Sequence, residues 1–290
     1  MHRRSFLHLS GIALLTGVCT ASASVSPRAA TFDARCRKLE AESGGQLGVY
    51  VFDARSDSEF LYRADTRFPM CSTFKWLAAA AVLGQVDAGR ERLDRRVRFS
   101  AKDVLDYSPV TAPHADGPGM SLGQLCEAAI TESDNTAGNL LLDAVGGLQG
   151  FNAFLRLQGD SHTRLDRYEP TLNEGKPGDP RDTTTPAAMG ADLRRLLLGE
   201  GLGAASRQQL SDWMLATRTS GKRLRAGLEP GWRLADKTGT GGNGIANDVG
   251  IYWTPKGQPV VVCVYLSQAK AAYDVQQSVI ALLGRHARQG

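Results

Sequence analysis

Nowhere does this sequence of 290 residues run apolar for the roughly 20 residues that a membrane-crossing helix needs. Histidine is scarce and scattered, at positions 2, 8, 114, 162 and 286, and none of the five cysteines has zinc-site spacing. A metal centre is therefore not expected, and neither is any other cofactor. No block of like charge stands out, because Arg92 to Arg98 alternates with Leu93, Asp94 and Val97 as a solvated edge would. That argues against nucleic acid as a partner. Internal repeats and linker-like tracts are missing too, so the chain reads as one large domain or two intimately joined ones.

What the first residues do contain is an export pattern. His2-Arg3-Arg4-Ser5-Phe6-Leu7 begins with paired arginines, Leu9 to Val18 is a short apolar run, and Ala21-Ser22-Ala23 supplies small residues for cleavage. Residues 1–23 are read as a twin-arginine-type signal, with a lipid anchor on Cys19 as the lesser alternative, and the mature protein is expected in the periplasm. Cleavage removes two arginines and no acidic residue, so the formal net charge of +4 falls to +2. Four cysteines would remain, Cys36, Cys71, Cys126 and Cys263. Such substrates fold before export in a reducing compartment, which favours free thiols.

Strand patterns lie at both ends of the mature chain and helix patterns between them. Leu47 to Phe52 and Glu59 to Arg63 flank a polar turn, and Val249, Ile251 and Trp253 alternate before a Pro- and Gly-containing turn and the apolar run Val260 to Leu266. In the middle, Phe74, Leu77, Ala78, Ala81 and Val82 recur at helical spacing, Ser121 to Gln124 is a capping box, and Thr185-Pro186 opens another helix. Val275 to Leu283 marks a terminal helix. The fold class is α+β: an antiparallel sheet flanked by terminal helices, with an inserted helical subdomain and the active site at the junction. Residues 24–70 and 216–290 are assigned to the α/β part, and 71–215 to the helical part, including an irregular loop over 167–182.

Four polar patches then follow in order: Ser72-Thr73-Phe74-Lys75, Ser133-Asp134-Asn135, Glu169-Pro170-Thr171-Leu172-Asn173 and Lys237-Thr238-Gly239. Ser-x-x-Lys alone recurs about once by chance in such a chain. Ser267-Gln268-Ala269-Lys270 is one such decoy. The ordered set, however, supplies every part that amide cleavage through an acyl-serine requires. Lys75 is one helical turn from Ser72 and can take its proton, while the helix start offers N–H groups to an oxyanion. Ser133 can pass a proton to the leaving nitrogen and Asn135 can bind a substrate carbonyl. Lys237 and Thr238 can hold a carboxylate, Gly239 lets a ligand approach the backbone, and an N–H near Thr240 can complete the oxyanion pair. Two lysines brought together lower each other's proton affinity. Glu169 sits in a loop too rich in glycine and proline to hold itself, so Arg167 and Asp182 are expected to pair across its neck. Lys237 to Thr240 is expected at the entry to a strand beside the Ser72 helix. Each patch also has an ordinary reading: Ser72 or Ser133 as a helix cap, Lys237 to Gly239 as a plain turn, Arg167 and Asp182 as solvated charges.

With these residues in view, the chain resembles a class A serine β-lactamase over essentially its whole exported length. The resemblance implies hydrolysis of penicillins and cephalosporins with resulting antibiotic resistance, Ser72 as the acylated serine, and Glu169 with Asn173 holding the deacylating water. It leaves open whether Lys75 or Glu169 is the acylation base. It further implies a cis Glu169-Pro170 bond, Tyr107 as the aromatic wall of the cleft, and Arg223 as an arginine supporting the carboxylate site, with Ala246 where other members place one. Thr240 carries a hydroxyl found in members with broad cephalosporin or carbapenem activity. Cys71 matches half of a disulfide seen in certain carbapenemases, but Gly241 stands where its partner would be. A D-alanyl-D-alanine carboxypeptidase would share the serine, lysine and Lys-Thr-Gly parts yet lack Glu169 and Asn173. A non-catalytic β-lactam sensor would normally need a membrane segment. The expected partner is thus a small β-lactam, bound by a monomer.

Overall fold

The computed structural model describes residues 27–289; the export pattern and Cys19 lie outside them. A five-stranded antiparallel sheet forms from both ends of the chain in the order β2-β1-β9-β8-β7. Its members are β1 (Gln46–Asp53), β2 (Ser58–Tyr62), β7 (Arg233–Gly241), β8 (Ile245–Trp253) and β9 (Pro259–Ser267). Two-residue ladders join β3 (Phe68–Pro69) to β6 (Thr183–Thr184) and β4 (Arg96–Val97) to β5 (Met120–Ser121). The polar turn at 53–58 closes the first hairpin, pairing Asp53 with Ser58, and Trp253 pairs with Pro259 across the last.

Period-two alternation sends the central strands' side chains into two cores. Leu47, Val49, Val51, Val260, Val262, Val264 and Leu266 pack with Leu39 of α1 (Pro27–Ser43) and with Val279, Ile280 and Leu283 of α8 (Tyr273–Gln289). Tyr50, Val261, Cys263 and Tyr265 face the other way, into the helical layer. That layer contains α2 (Phe74–Asp87), α3 (Leu122–Thr131), α4 (Asn135–Ala144), α5 (Gly147–Leu157), α6 (Pro186–Leu193) and α7 (Ala204–Leu215). Every residue of α2 from Phe74 to Leu83 is buried, so this helix is apolar on all sides instead of along one stripe. Lys75 is its exception. The predicted caps of two neighbours are present: Ser121 and Gln124 make the full capping box of α3, and Thr185 Oγ1 accepts from Ala188 N at the start of α6.

The 167–182 loop runs along the edge of the helical layer and contains only a single 3-10 turn, Thr171–Asn173. Its neck is tied as the bracketing charges predict. Arg167 Nε donates to Asp182 Oδ2 at 2.6 Å, and Asp182 Oδ1 accepts from the backbone N–H groups of Asp166 and Arg167 at 2.8 and 2.9 Å. Arg167 also reaches Glu174 at 2.8 Å inside the loop. Because the Asp182 carboxylate is buried, this is not a surface pair. Its backbone oxygen accepts from Met70 N at 2.9 Å, which joins the neck to the start of α2. Truncating Arg167 to Ala strands a buried carboxylate, so Arg167→Ala is expected to lower unfolding free energy by about 3 kcal/mol in urea titration. A loss below about 1 kcal/mol, the range of exposed pairs, would show the clamp to be decorative.

Candidate active site

Ser72 is the middle residue of a 3-10 turn, Cys71–Thr73, that runs directly into α2. It does not cap the helix. Its Oγ instead accepts from Lys75 Nζ at 2.8 Å and donates to Glu169 Oε1 at 3.3 Å. The i,i+3 spacing read from the sequence is what sets the first contact. The second comes from 97 residues away.

Lys75 Nζ is fully buried and surrounded by oxygen. Besides Ser72 it donates to Ser133 O at 2.8 Å and Asn135 Oδ1 at 2.7 Å, and it lies 3.0 Å from Glu169 Oε1. Burial lowers its proton affinity below that of an ordinary lysine, with Glu169 opposing the shift. Gly138 makes room for it: a Cβ there would lie 2.8 Å from Lys75 Cε. Glycine in the first turns of α4 is thus a requirement of the lysine.

Ser133 likewise is not a cap. Asp134 caps α4, accepting from Ala137 N at 2.9 Å, and its carboxylate also takes Val110 N, Thr111 N and Thr111 Oγ1 at 3.0, 2.9 and 2.8 Å. This frees Ser133 Oγ to accept from Lys237 Nζ at 2.9 Å. Tyr107, Ser133 and Cys71 all have left-handed backbone, with φ of 59°, 60° and 46°. Such conformations persist in non-glycine residues when surrounding contacts enforce them; here Tyr107 and Ser133 line one cleft, and Cys71 is buried next to Ser72 on its wall. Asn135 is held over it by its N–H to Tyr107 O at 3.0 Å and its side-chain amide to Asp106 O at 2.9 Å.

The Lys-Thr-Gly patch lies within the nine-residue strand β7, not at a strand entry or in a turn. Alternation points Lys237 and Gly239 to one side and Thr238 to the other. Lys237 is buried, and burial together with the nearby Lys75 charge holds it well below the usual lysine range. Thr238 shares a 2.6 Å hydroxyl contact with Thr219. The space a Gly239 Cβ would need is filled by Met70 O at 2.6 Å and Thr73 N at 3.2 Å. Glycine here lets the strand lie against the start of α2; the expected reason had been ligand approach. Arg223 is buried behind the strand, donating to Gly239 O at 2.9 Å, Asn247 O at 2.6 Å, Thr240 Oγ1 at 2.6 Å and the Tyr273 hydroxyl at 2.7 Å.

On the opposite wall Glu169 follows the same buried logic. Its Oε2 accepts from Asn173 Nδ2 at 2.5 Å, and the Glu169-Pro170 peptide is cis. Asn173 Oδ1 is buried with no hydrogen-bond partner among the described residues. The cleft between the walls has a volume of about 550 Å³ and is lined by Ser72, Tyr107, Ser133, Asn135, Asn173, Thr238 and Thr240. A larger hollow of about 750 Å³, beside Phe52 and Arg194, contains none of these groups.

Residues 31–290 match the model of the β-lactamase enzyme family. β-Lactamase L2 of Stenotrophomonas maltophilia is 44% identical, covering 98% of this chain and 97% of its own. β-Lactamase AER-1 of Aeromonas hydrophila is 46% identical over 82% of this chain and 79% of its own. Among solved structures, an ancestral (GNCA) class A β-lactamase is 56% identical and superposes with a TM-score of 0.87, covering 89% of this chain and 99% of that one. This chain belongs to the class A β-lactamases.

Neither the carboxypeptidase nor the sensor reading is favoured beside an enzyme of this family that hydrolyses β-lactams. The four cysteines among the described residues are free and buried, as folding in a reducing compartment favours. Cys71 adjoins Gly241, where a Cβ would sit 2.6 Å from its Sγ. The decoy serine, Ser267, ends β9, and Lys270 bonds through its backbone to Ser43.

Sequence reasoning missed Asn139. Its Oδ1 accepts from Glu169 N at 2.9 Å and its Nδ2 donates to Glu169 O at 3.1 Å, so one amide holds both backbone groups of the glutamate. The signal was present, since Asn139 is four residues after Asn135 and shares its helix face. Asn139→Ala is expected to lower stability by about 1–3 kcal/mol and to speed amide exchange through the loop around Glu169. Unchanged exchange there would show that other contacts hold the glutamate.

Proposed function

We propose that Ser72 is the nucleophile that opens the lactam amide of penicillins and cephalosporins, and that Glu169 activates the water that frees it. The observation carrying this reading is the double contact of Ser72 Oγ, 2.8 Å from Lys75 Nζ and 3.3 Å from Glu169 Oε1. Oγ attacks the lactam carbonyl carbon, the C–N bond breaks, and the hydroxyl proton passes to the Lys75 and Glu169 pair. Those two groups are 3.0 Å apart and both lie beside Ser72 Oγ, so either can be the formal base. Ser133 gives the departing nitrogen a proton and regains the one Ser72 lost, passed on by the Lys75 and Glu169 pair, so Ser133 and the pair are back in their starting protonation states before deacylation. The N–H groups of Ser72 and Thr240 serve the oxyanion.

Deacylation reverses the roles. A water between Glu169 and Asn173 gives one proton to the glutamate and its oxygen to the acyl carbon, and Ser72 leaves with its proton restored. The unpaired Asn173 Oδ1 supports this, because it supplies an acceptor for the water's second hydrogen. Lys237, Thr238 and the Arg223-backed hydroxyl of Thr240 receive the substrate carboxylate, Asn135 the amide carbonyl, and exposed Tyr107 the ring face. The reading needs no group from a second copy, so we take the protein to act as a monomer. Residues 1–23 are read as the twin-arginine-type signal that takes it to the periplasm, and no helix among the described residues is long and apolar enough to cross a membrane.

Glu169→Ala is expected to acylate but release product about 1,000-fold more slowly, so intact mass should show protein plus one whole penicillin. Undiminished turnover would remove Glu169 from the mechanism. A second test uses pH. Lys237 binds the carboxylate only while protonated, and its lowered proton affinity places that loss below the ordinary lysine value of about 10.4. As pH rises, kcat/KM should therefore fall early, and Lys237→Arg should abolish that limb because guanidinium stays charged. An identical limb in the variant would assign it to Lys75.

A further inference from the structure

Directly behind the Lys-Thr-Gly segment, two carboxyls are buried for which the reaction has no use. Asp236 pairs with Gly250 across the β7 and β8 ladder, and Asp248 with Thr238, so both side chains are on the same face, diagonal to each other. Gly250 leaves the gap they need: a Cβ there would stand 2.8 Å from Asp236 Cβ. One oxygen of each has a donor. Arg225 Nη2 bonds Asp236 Oδ1, and Leu224 N donates to Asp248 Oδ2 at 3.1 Å. The Ser220 hydroxyl also lies beside Asp236, but the remaining oxygens, Asp236 Oδ2 and Asp248 Oδ1, are buried and make no hydrogen bond among the described residues. Two buried carboxyls set diagonally on one face, each with an oxygen left without a partner, can satisfy one another only through a proton, because carboxylate oxygens accept and do not donate.

We propose that Asp236 and Asp248 share one proton and act as a single negative charge that keeps Lys237 cationic for the substrate carboxylate. Both are positioning residues. The charged groups facing them are Arg225, Arg223 and Lys237, with the Tyr252 phenol and Cys263 thiol kept neutral by burial. Burial first, and then Asp236, push the Asp248 carboxyl well above the usual range; burial raises Asp236 too, but Arg225 opposes it and favours the ionised form there. Lys237 needs the counter-charge because burial and Lys75 both act against its proton, and the aspartates are the groups that oppose them.

The proposal rests on reading Lys237 as the carboxylate anchor, and its test separates the two. An amide can replace a protonated carboxyl, so Asp248→Asn keeps the pair's single charge, whereas Asp236→Asn/Asp248→Asn removes it. Near neutral pH the infrared spectrum of the wild type minus Asp248→Asn should contain a protonated-carboxyl band. The difference is needed because burial also raises Asp192, beside Asp160. KM for a penicillin in Asp248→Asn should stay within about twofold, while the double variant should raise it roughly tenfold or more and move the alkaline limb of kcat/KM to lower pH. No such band, or a limb displaced as far by Asp248→Asn as by the double variant, would overturn the shared proton. A band present with a limb unmoved in the double variant would overturn the link to Lys237 alone.

Discussion

The ammonium of Lys75 is the constraint around which the helical layer is organised. A cation removed from water is unfavourable by several kcal/mol unless oxygen replaces its hydration. Here four oxygens do so, and they belong to three separate segments: the turn before α2, the start of α4 and the 167–182 loop. An apolar helix could have been completed with leucine at this position. Lysine instead obliges Ser133, Asn135 and Glu169 to converge, and the reactive hydroxyl lies among the groups that satisfy it. Stability and chemistry thus draw on the same contacts, which makes removal of any one partner felt by the others.

How much of this the sequence discloses follows from the range of each interaction. Ser72 with Lys75 is legible because helical periodicity fixes neighbours three residues apart. The neck of the loop is legible because opposite charges bracket a segment without regular structure, and Arg167 does meet Asp182. Four of the five strands are legible from alternation or an apolar run, even to the turn between β8 and β9, whereas the polar and glycine-rich end of β7 reads only as a strand entry or turn. Caps were harder. In a run of Ser133, Asp134 and Asn135 all three residue types cap helices well, and only the packing of Val110 and Thr111 against Asp134 decides which one does. Gly138 and Gly239 were opaque for the same reason. Each is glycine because another segment occupies the place of its side chain, and a local pattern holds no information about that segment.

Charge is distributed around the cleft with similar economy. Two buried lysines would repel, and each has its own anion: Glu169 beside Lys75, and the aspartates of β7 and β8 behind Lys237. Ser133 lies between the two systems, bonded to Lys75 through its carbonyl and to Lys237 through its hydroxyl. Because its hydroxyl accepts from Lys237, its own proton is directed elsewhere, toward the space where a leaving nitrogen would stand.

The two walls are also not independent. Gly242 N donates to Asn173 O at 3.1 Å and Asn243 Nδ2 to Glu174 O at 2.9 Å, so the turn after β7 grips the loop that contains Glu169. At Gly241 the fit is tight, since a Cβ would come within 2.6 Å of Cys71 Sγ and 2.7 Å of Asn173 O. The strand end therefore approaches the turn that carries Ser72 on one side and Asn173 on the other. The backbone of β7 and the turn after it thus contacts both segments that carry Ser72 and Asn173. Widening the cleft for a larger substrate by moving this strand would accordingly shift Glu169 as well, and the geometry for admitting a drug and the geometry for releasing it are set by one short run of glycines.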